Sequence, residues 1–270
     1  MAGMMKQLSN DASCVFTGKG LAFGGSQMRP EATGYGTVYF AQEMLHRRGL
    51  GFDGMRVSIS GAGNVAQYAA EKAIDMGARV LTLSDSDGTL VAPDGLTEEQ
   101  LKLLVRWKNV ERGRLSAFAG RHRLRFEAGK RPWHVPVDIA LPCATQNELD
   151  GRDAERLVAN GVKCVAEGAN MPSTLEAVEV VLGAGTLYAP GKASNAGGVA
   201  TSGLEMTQNA MRLSWIHAEV DERLHAIMKN IHENCVRHGA RPDGTINYVD
   251  GANIAGFVKV ADAMLAQGVC

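Results

Sequence analysis

Residues 56–66 read Arg-Val-Ser-Ile-Ser-Gly-Ala-Gly-Asn-Val-Ala. The run demands a buried strand, a turn of two or three residues and an immediate helix. Gly61 permits the tight turn, Gly63 lets another molecule approach the backbone, and Ala66 lets helix and strand pack closely. The first N–H groups of such a helix have no partner within it and attract anions. With a strand before it and a helix after it, G-x-G-x-x-A is the fingerprint of a dinucleotide diphosphate site.

A second apolar run follows and ends in Ser84-Asp85-Ser86, about 20 residues on, as the fingerprint requires. A carboxylate there accepts hydrogen bonds from the adenosine ribose of NAD. It repels the 2′-phosphate of NADP unless cations offset it. Ser86 can donate to a phosphate, and Lys108 or Arg112 are the nearby cations. On these residues alone NAD and NADP stay open.

Apolar runs alternate with helical patterns along most of the 270 residues, the signature of a Rossmann-like, doubly wound α/β fold with a mostly parallel sheet. Strands are expected at 57–60, 80–84, 137–141, 162–166 and 186–189. Helices are expected at 31–48, 64–76, 97–109 and 254–266, with Thr97–Gln100 as a capping box. Residues 111–136 read as basic and irregular. One long amphipathic helix is expected from Gly203 to His238, its stripe made by Met206, Ala210, Leu213, Val220, Leu224, Ile227, Ile231 and Cys235. The division expected is a dinucleotide-binding domain over 1–200, with an N-terminal connecting helix segment, and C-terminal helices over 201–270 that complete it.

A formal net charge of −1 gives no pull toward nucleic acid or an anionic membrane, and no apolar run reaches membrane-spanning length. The five cysteines, Cys14, Cys143, Cys164, Cys235 and Cys270, are odd in number and lack C-x-x-C, which points to a reducing cytoplasm. The start, MAGMMKQLSND, has no signal-peptide core and reads as the end of a helix that begins earlier.

Two further segments carry polar residues where ligands bind in such folds. Thr145 and Asn147 follow the strand ending in Leu141, at the crevice side of the sheet. Asn195 and Ser202 sit in a glycine-rich turn leading into a helix. Ser202 suits a substrate carboxylate and the Asn195 amide suits a nicotinamide amide. Loop or helix capping is the bland alternative for both segments. His217, His225, His232 and His238 have no i, i+4 pair and read as solvated helix surface. Cys143 has no histidine placed to activate it. The patch Arg121, His122, Arg123 and Arg125 reads as a solvated face, and Trp107, Trp133 and Trp215 as packing residues.

The stretches TGKGLAFGGS, RPEATGYG, SGAGNVAQYA, DIALPCATQNEL, VAEGANMP, APGKASNAGGVATSGLEM and NYVDGANIAGFVKVADAML together resemble the C-terminal, coenzyme-binding part of the NADP-dependent glutamate dehydrogenases, in the Glu/Leu/Phe/Val dehydrogenase superfamily. The resemblance implies interconversion of L-glutamate with 2-oxoglutarate and ammonia, using NADP(H), with NAD as the other possibility. It implies a place in nitrogen assimilation and a homo-oligomer, since the full-length family is hexameric. It assigns Thr33, Asn64, Val65 and Asn170 to the cofactor alongside Asn195, and Val199 and Ser202 to the substrate. It tilts Asp85, Ser86 and Lys108 toward a 2′-phosphate site, although Glu111 stands where a further basic residue is expected.

The family's catalytic lysine and acid/base aspartate belong to an N-terminal substrate domain, and no segment here resembles either motif. No catalytic residue is therefore assigned in this chain. Lys19 matches the TGKG connection instead. Two alternatives remain at this point: a relative acting on an apolar amino acid, and an isolated cofactor-binding module without turnover.

Overall fold

The computed structural model describes residues 1–9 and 14–268. Asn10, Asp11 and Cys270, which entered the readings above, lie outside these. In chain order the elements are α1 (Ala2–Ser9), α2 (Ala32–His46), β1 (Arg56–Ile59), α3 (Asn64–Asp75), β2 (Arg79–Asp85), β3 (Gly88–Val91), α4 (Glu98–Asn109), α5 (Leu115–His122) and β4 (Arg125–Ala128). Then come β5 (Ile139–Leu141), α6 (Gly151–Ala159), β6 (Cys164–Ala166), α7 (Leu175–Gly183), β7 (Leu187–Ala189), α8 (Gly191–Ser194), α9 (Gly197–Met211), α10 (His217–Gly239) and α11 (Tyr248–Gln267).

The strands form one sheet in the order β4-β3-β2-β1-β5-β6-β7. Pairs from β2 through β7 along the sheet are parallel, while β3 and β4 run antiparallel at one edge. The chain goes from β1 to β2 on one side and returns to β5 on the other. That reversal opens a crevice beyond the carboxyl ends of β1 and β5, where open α/β sheets bind ligands.

Burial explains why these segments take these forms. Strands β5, β6 and β7 are buried at every position and β1 at all but Arg56, as a sheet covered on both faces demands. Helix α3 presents Ala66, Ala69, Ala70 and Ala73, all fully buried, so it lies close on the sheet. Its N-terminus is thereby held at the crevice. The capping box of α4 forms as expected: Gln100 N donates to Thr97 Oγ1 at 3.1 Å and Thr97 N to Gln100 Oε1 at 3.0 Å.

Three expectations need correction. Residues 111–136 are ordered as α5, β4 and a 3-10 turn at Pro132–His134. Strand β4 is short, and its inward position is filled by Glu127, buried among Arg125, Lys130 and His134. Charge on a short edge strand blunts the edge and also hides the alternation that would reveal it. The expected helix over 203–238 is two helices. Arg212 takes a left-handed φ of +56° and ends α9, and Glu219 accepts the Ile216 N–H at 2.9 Å where α10 begins. Met206 and Leu213 of the expected stripe are exposed, while the face of α10 that packs is Val220, Leu224, Met228, His232 and Cys235. His232 is therefore core, not solvated surface. Lastly, α11 starts at Tyr248, six residues before the expected Ile254, because Asn247 caps it.

Helix α11 leaves Phe257, Val260 and Leu265 largely exposed, and Val199 projects from α9. An apolar face of this kind drives association. The 270-residue chain is expected to self-associate with rising concentration in sedimentation velocity; a clean monomer at high concentration would contradict this.

Candidate functional site

Strand β1 delivers Ser60 to the glycine turn. Gly61 has a φ of +85°, and a Cβ there would stand 3.0 Å from the Cys143 carbonyl oxygen. Its N–H donates to Ser84 Oγ at 2.9 Å and its carbonyl accepts Ser84 N–H at 3.1 Å, which locks the turn to β2. Gly63 differs in kind. Its backbone is extended (φ −87°, ψ −169°), and a Cβ there would meet nothing within 4 Å. It opens onto the start of α3, which no side chain among the described residues caps. Free helix N–H groups beside an open glycine form a cradle suited to a diphosphate. The Asn64 side chain donates to Pro30 O at 2.5 Å, fixing this end to the segment before α2.

Next to the turn lies a cavity of about 820 Å³. It gathers Thr33 from α2, Val65 from α3, Thr145 after β5, Asn170 after β6, Asn195 after α8, and Val199 and Ser202 from α9. Seven residues assigned from sequence to one ligand site, far apart in the chain, thus line one space. The Asn195 amide donates to Asn170 Oδ1 at 2.8 Å and to Ala169 O at 3.2 Å. Asn147 sits beside the wall in a left-handed turn (φ +53°), its N–H on Met171 O, and does not line the cavity.

Asp85, Ser86 and Lys108 form a separate corner at the end of β2. Asp85 Oδ2 pairs with Lys108 Nζ at 3.4 Å and accepts Leu115 N–H at 3.0 Å; Oδ1 accepts Asp87 N–H at 3.1 Å. Most of the carboxylate's bonding is therefore internal. A second cation here is Arg114, which the sequence reading did not name: Arg114 Nη1 donates to Ser86 Oγ at 2.5 Å and lies 3.5 Å from Asp87. Only the bend into α5 brings Arg114 here, so a reading that left 111–136 irregular could not place it.

Two more residues escaped the sequence reading, Arg29 in the cavity lining and Glu167 behind it. Arg29 Nε donates to Ser202 Oγ at 3.0 Å, which puts a guanidinium at the expected carboxylate site. Glu167 is buried and accepts Tyr188 OH at 2.5 Å, Gly191 N–H at 2.7 Å and Ser173 N–H at 3.3 Å. It holds α8, and so Asn195, against the loop carrying Asn170. Burial and the Glu167 carboxylate push the Tyr188 phenol far up, so it stays a donor. The Arg29–Pro30 pair at a helix start was the available signal for the first; an acidic residue directly after an apolar strand was the signal for the second.

Burial pushes the Cys143 thiol well above its ordinary range, which removes it as a nucleophile. Lys19 is committed to Glu205 at 2.6 Å. Burial opposes the charge on Glu205, but Lys19 and the N–H groups of Gly18 and Lys19 outweigh it and hold the carboxyl below its usual range. Among the described residues, no group of three His, Cys, Asp or Glu could hold a metal, and no helix is long and apolar enough to cross a membrane.

Residues 24–268 match the family described as Glutamate/Leucine/Phenylalanine/Valine dehydrogenase. The chain is 65% identical over 269 residues to an NADP-specific glutamate dehydrogenase of Escherichia coli, covering 100% of this chain and 60% of that protein. It is 54% identical over 270 residues to an NAD-specific glutamate dehydrogenase of Bacteroides fragilis, covering 100% and 61%. A solved glutamate dehydrogenase of Plasmodium falciparum superposes with a TM-score of 0.96 at 41% identity, over 100% of this chain and 58% of that one. The chain therefore spans about three fifths of the length of the relatives it matches.

Proposed function

This chain belongs to the glutamate/leucine/phenylalanine/valine dehydrogenase family, and from that premise we propose that it is the coenzyme-binding part of an NADP-linked glutamate dehydrogenase. The observation that carries the reading is the open cradle at Gly63 and the uncapped start of α3, beside a cavity lined by the expected contacts. In the whole protein the reaction is the oxidative deamination of L-glutamate to 2-oxoglutarate and ammonia, and its reverse. The nicotinamide coenzyme supplies the hydride acceptor and donor.

This chain's residues bind and orient. Gly61, Gly63 and Asn64 shape the diphosphate turn, and Val65, Thr33 and Thr145 line the way from it into the cavity. The amides of Asn195 and Asn170 offer donors and acceptors to a carboxamide. Ser202 and Arg29, beside Val199, hold a substrate carboxylate; the Arg29 guanidinium adds the charge that a hydroxyl lacks. The polarising lysine and the proton-carrying carboxylate are assigned to sequence outside these 270 residues, so this chain alone binds coenzyme without turnover. The whole protein is assigned as a homo-oligomer.

Lys108, Arg114 and Ser86 favour NADP over NAD, because they offer a 2′-phosphate two cations and a hydroxyl, while Asp85 is engaged by Lys108 and the N–H groups of Leu115 and Asp87, and Asp87 is paired with Arg114. The test is fluorescence titration of the chain with NADPH and NADH. The double change Lys108→Ala, Arg114→Ala is expected to weaken NADPH about 100-fold while NADH shifts about twofold, each lost charge-assisted bond costing about 1.5 kcal/mol or more. Equal losses for both coenzymes would overturn the 2′-phosphate assignment. Glutamate oxidation by this chain alone would show that the catalytic groups are misplaced.

A further inference from the structure

Ser60 is fully buried at the end of β1, directly before the glycine turn. The β1–β5 ladder reaches its last backbone bond there, Ser60 N to Leu141 O at 3.2 Å. Past that point side chains hold the two strand ends together. Ser60 Oγ accepts Cys143 N–H at 2.9 Å and donates to Glu148 Oε1 at 2.8 Å. The same carboxylate oxygen accepts Ala144 N–H at 2.9 Å. One oxygen thus ties the residue before the diphosphate turn to the loop whose Ala144 and Thr145 form the cavity wall.

The side chain is committed to this tie. Burial raises the Glu148 carboxyl above its ordinary range, against the pull of the Ala144 and Thr145 N–H groups and the Ser60 hydroxyl. The backbone of Glu148 is held separately: its carbonyl accepts Arg131 Nη1 at 3.0 Å and Trp133 Nε1 at 3.4 Å. Shortening the side chain therefore removes the carboxylate's bonds to Ser60 and Ala144, leaving only the Ser60–Cys143 bond across the strand ends, without releasing the loop.

We propose that Glu148 is a positioning residue for the coenzyme, setting the spacing between the diphosphate turn and the wall that meets the nicotinamide half. The proposal rests on the dinucleotide reading of the site. It predicts a split that general loosening of the fold would not give. A dinucleotide spans turn and wall together, whereas 2′,5′-ADP engages the corner of Ser86, Lys108 and Arg114 and never reaches the wall.

The experiment titrates the 270-residue chain with both ligands. Glu148→Ala is expected to weaken NADPH about tenfold and leave 2′,5′-ADP within about twofold, the scale of losing hydrogen bonds to a charged acceptor. Glu148→Gln, whose amide oxygen can accept from Ser60 and Ala144, is expected to restore NADPH to within about threefold of the parent. Equal loss of both ligands, no loss of either, or no rescue by Gln overturns the proposal. Failure of the unaltered chain to bind NADPH sinks the site reading itself, and the proposal with it; normal binding by the parent and an unaffected Glu148→Ala sinks the proposal alone.

Discussion

Gly63→Ala is expected to leave the fold intact and to weaken NADPH binding by about 30-fold or more, roughly 2 kcal/mol of lost contact to backbone N–H groups. The two glycines of the turn make opposite demands. At Gly61 a side chain is excluded from within: φ is +85° and the Cys143 carbonyl oxygen would lie 3.0 Å from the new Cβ. Gly61→Ala should therefore cost stability, on the order of 1–3 kcal/mol. At Gly63 nothing of the protein stands within 4 Å and the backbone is extended, so alanine fits. Replacing a glycine at such a position trims the freedom of the unfolded chain and adds about 0.4–1 kcal/mol of stability. The methyl then stands where a diphosphate must touch the backbone. Thermal melting and NADPH titration of the two variants separate these effects. Unchanged affinity in Gly63→Ala would remove the main support for the dinucleotide site.

That contrast shows what sequence could and could not supply. The fingerprint gave both glycines, and the alternating pattern gave the five parallel strands but not β3 or β4, because buried strands and a tight βα turn leave few substitutes. Thr33, Val65, Thr145, Asn170, Asn195, Val199 and Ser202 were legible for a related reason: their motifs travel with the crevice that gathers them. Arg114 was not legible, since its role depends on a bend between α4 and α5 that has no periodic signal. Nor was the break at Arg212, where apolar residues continue at helical spacing although the backbone turns left-handed. Glu148 and Glu167 escaped because a carboxylate's work as an acceptor depends on which N–H groups reach it, and spacing along the chain says nothing of that. His232 looked like its surface neighbours on α10 and became core only when α2 and α11 closed over it.

That histidine should make the fold acid-sensitive. It packs between Phe40, with ring centroids 5.5 Å apart, and Tyr248, whose hydroxyl lies 3.1 Å from Nε2. Burial, with the Arg47 guanidinium adding to it, lowers its pKa from 6.5 to about 4. Above the unfolded value the ring is neutral in both states and its contribution is complete. As pH falls below 6.5 the unfolded chain takes up a proton that the folded chain refuses. Stability then drops by up to about 1.4 kcal/mol per pH unit until the folded pKa is passed. Asp138 acts in a lower window: burial opposes its charge, but its bonds to Arg56 bring its pKa down to about 2, so its contribution fades only as pH falls below 3.8. Glu148 has the opposite sign. Its raised pKa means that the folded chain binds the extra proton as pH falls, which offsets part of the histidine's loss in the same range. The whole curve therefore mixes terms, and the difference between two chains isolates one. His232→Gln keeps a neutral partner for the Tyr248 hydroxyl and cannot titrate. Urea unfolding of parent and variant should show the parent losing about 2–3 kcal/mol more than the variant between neutral pH and about pH 4.5. Parallel losses in the two chains would mean that His232 is reached by water and protonates in place.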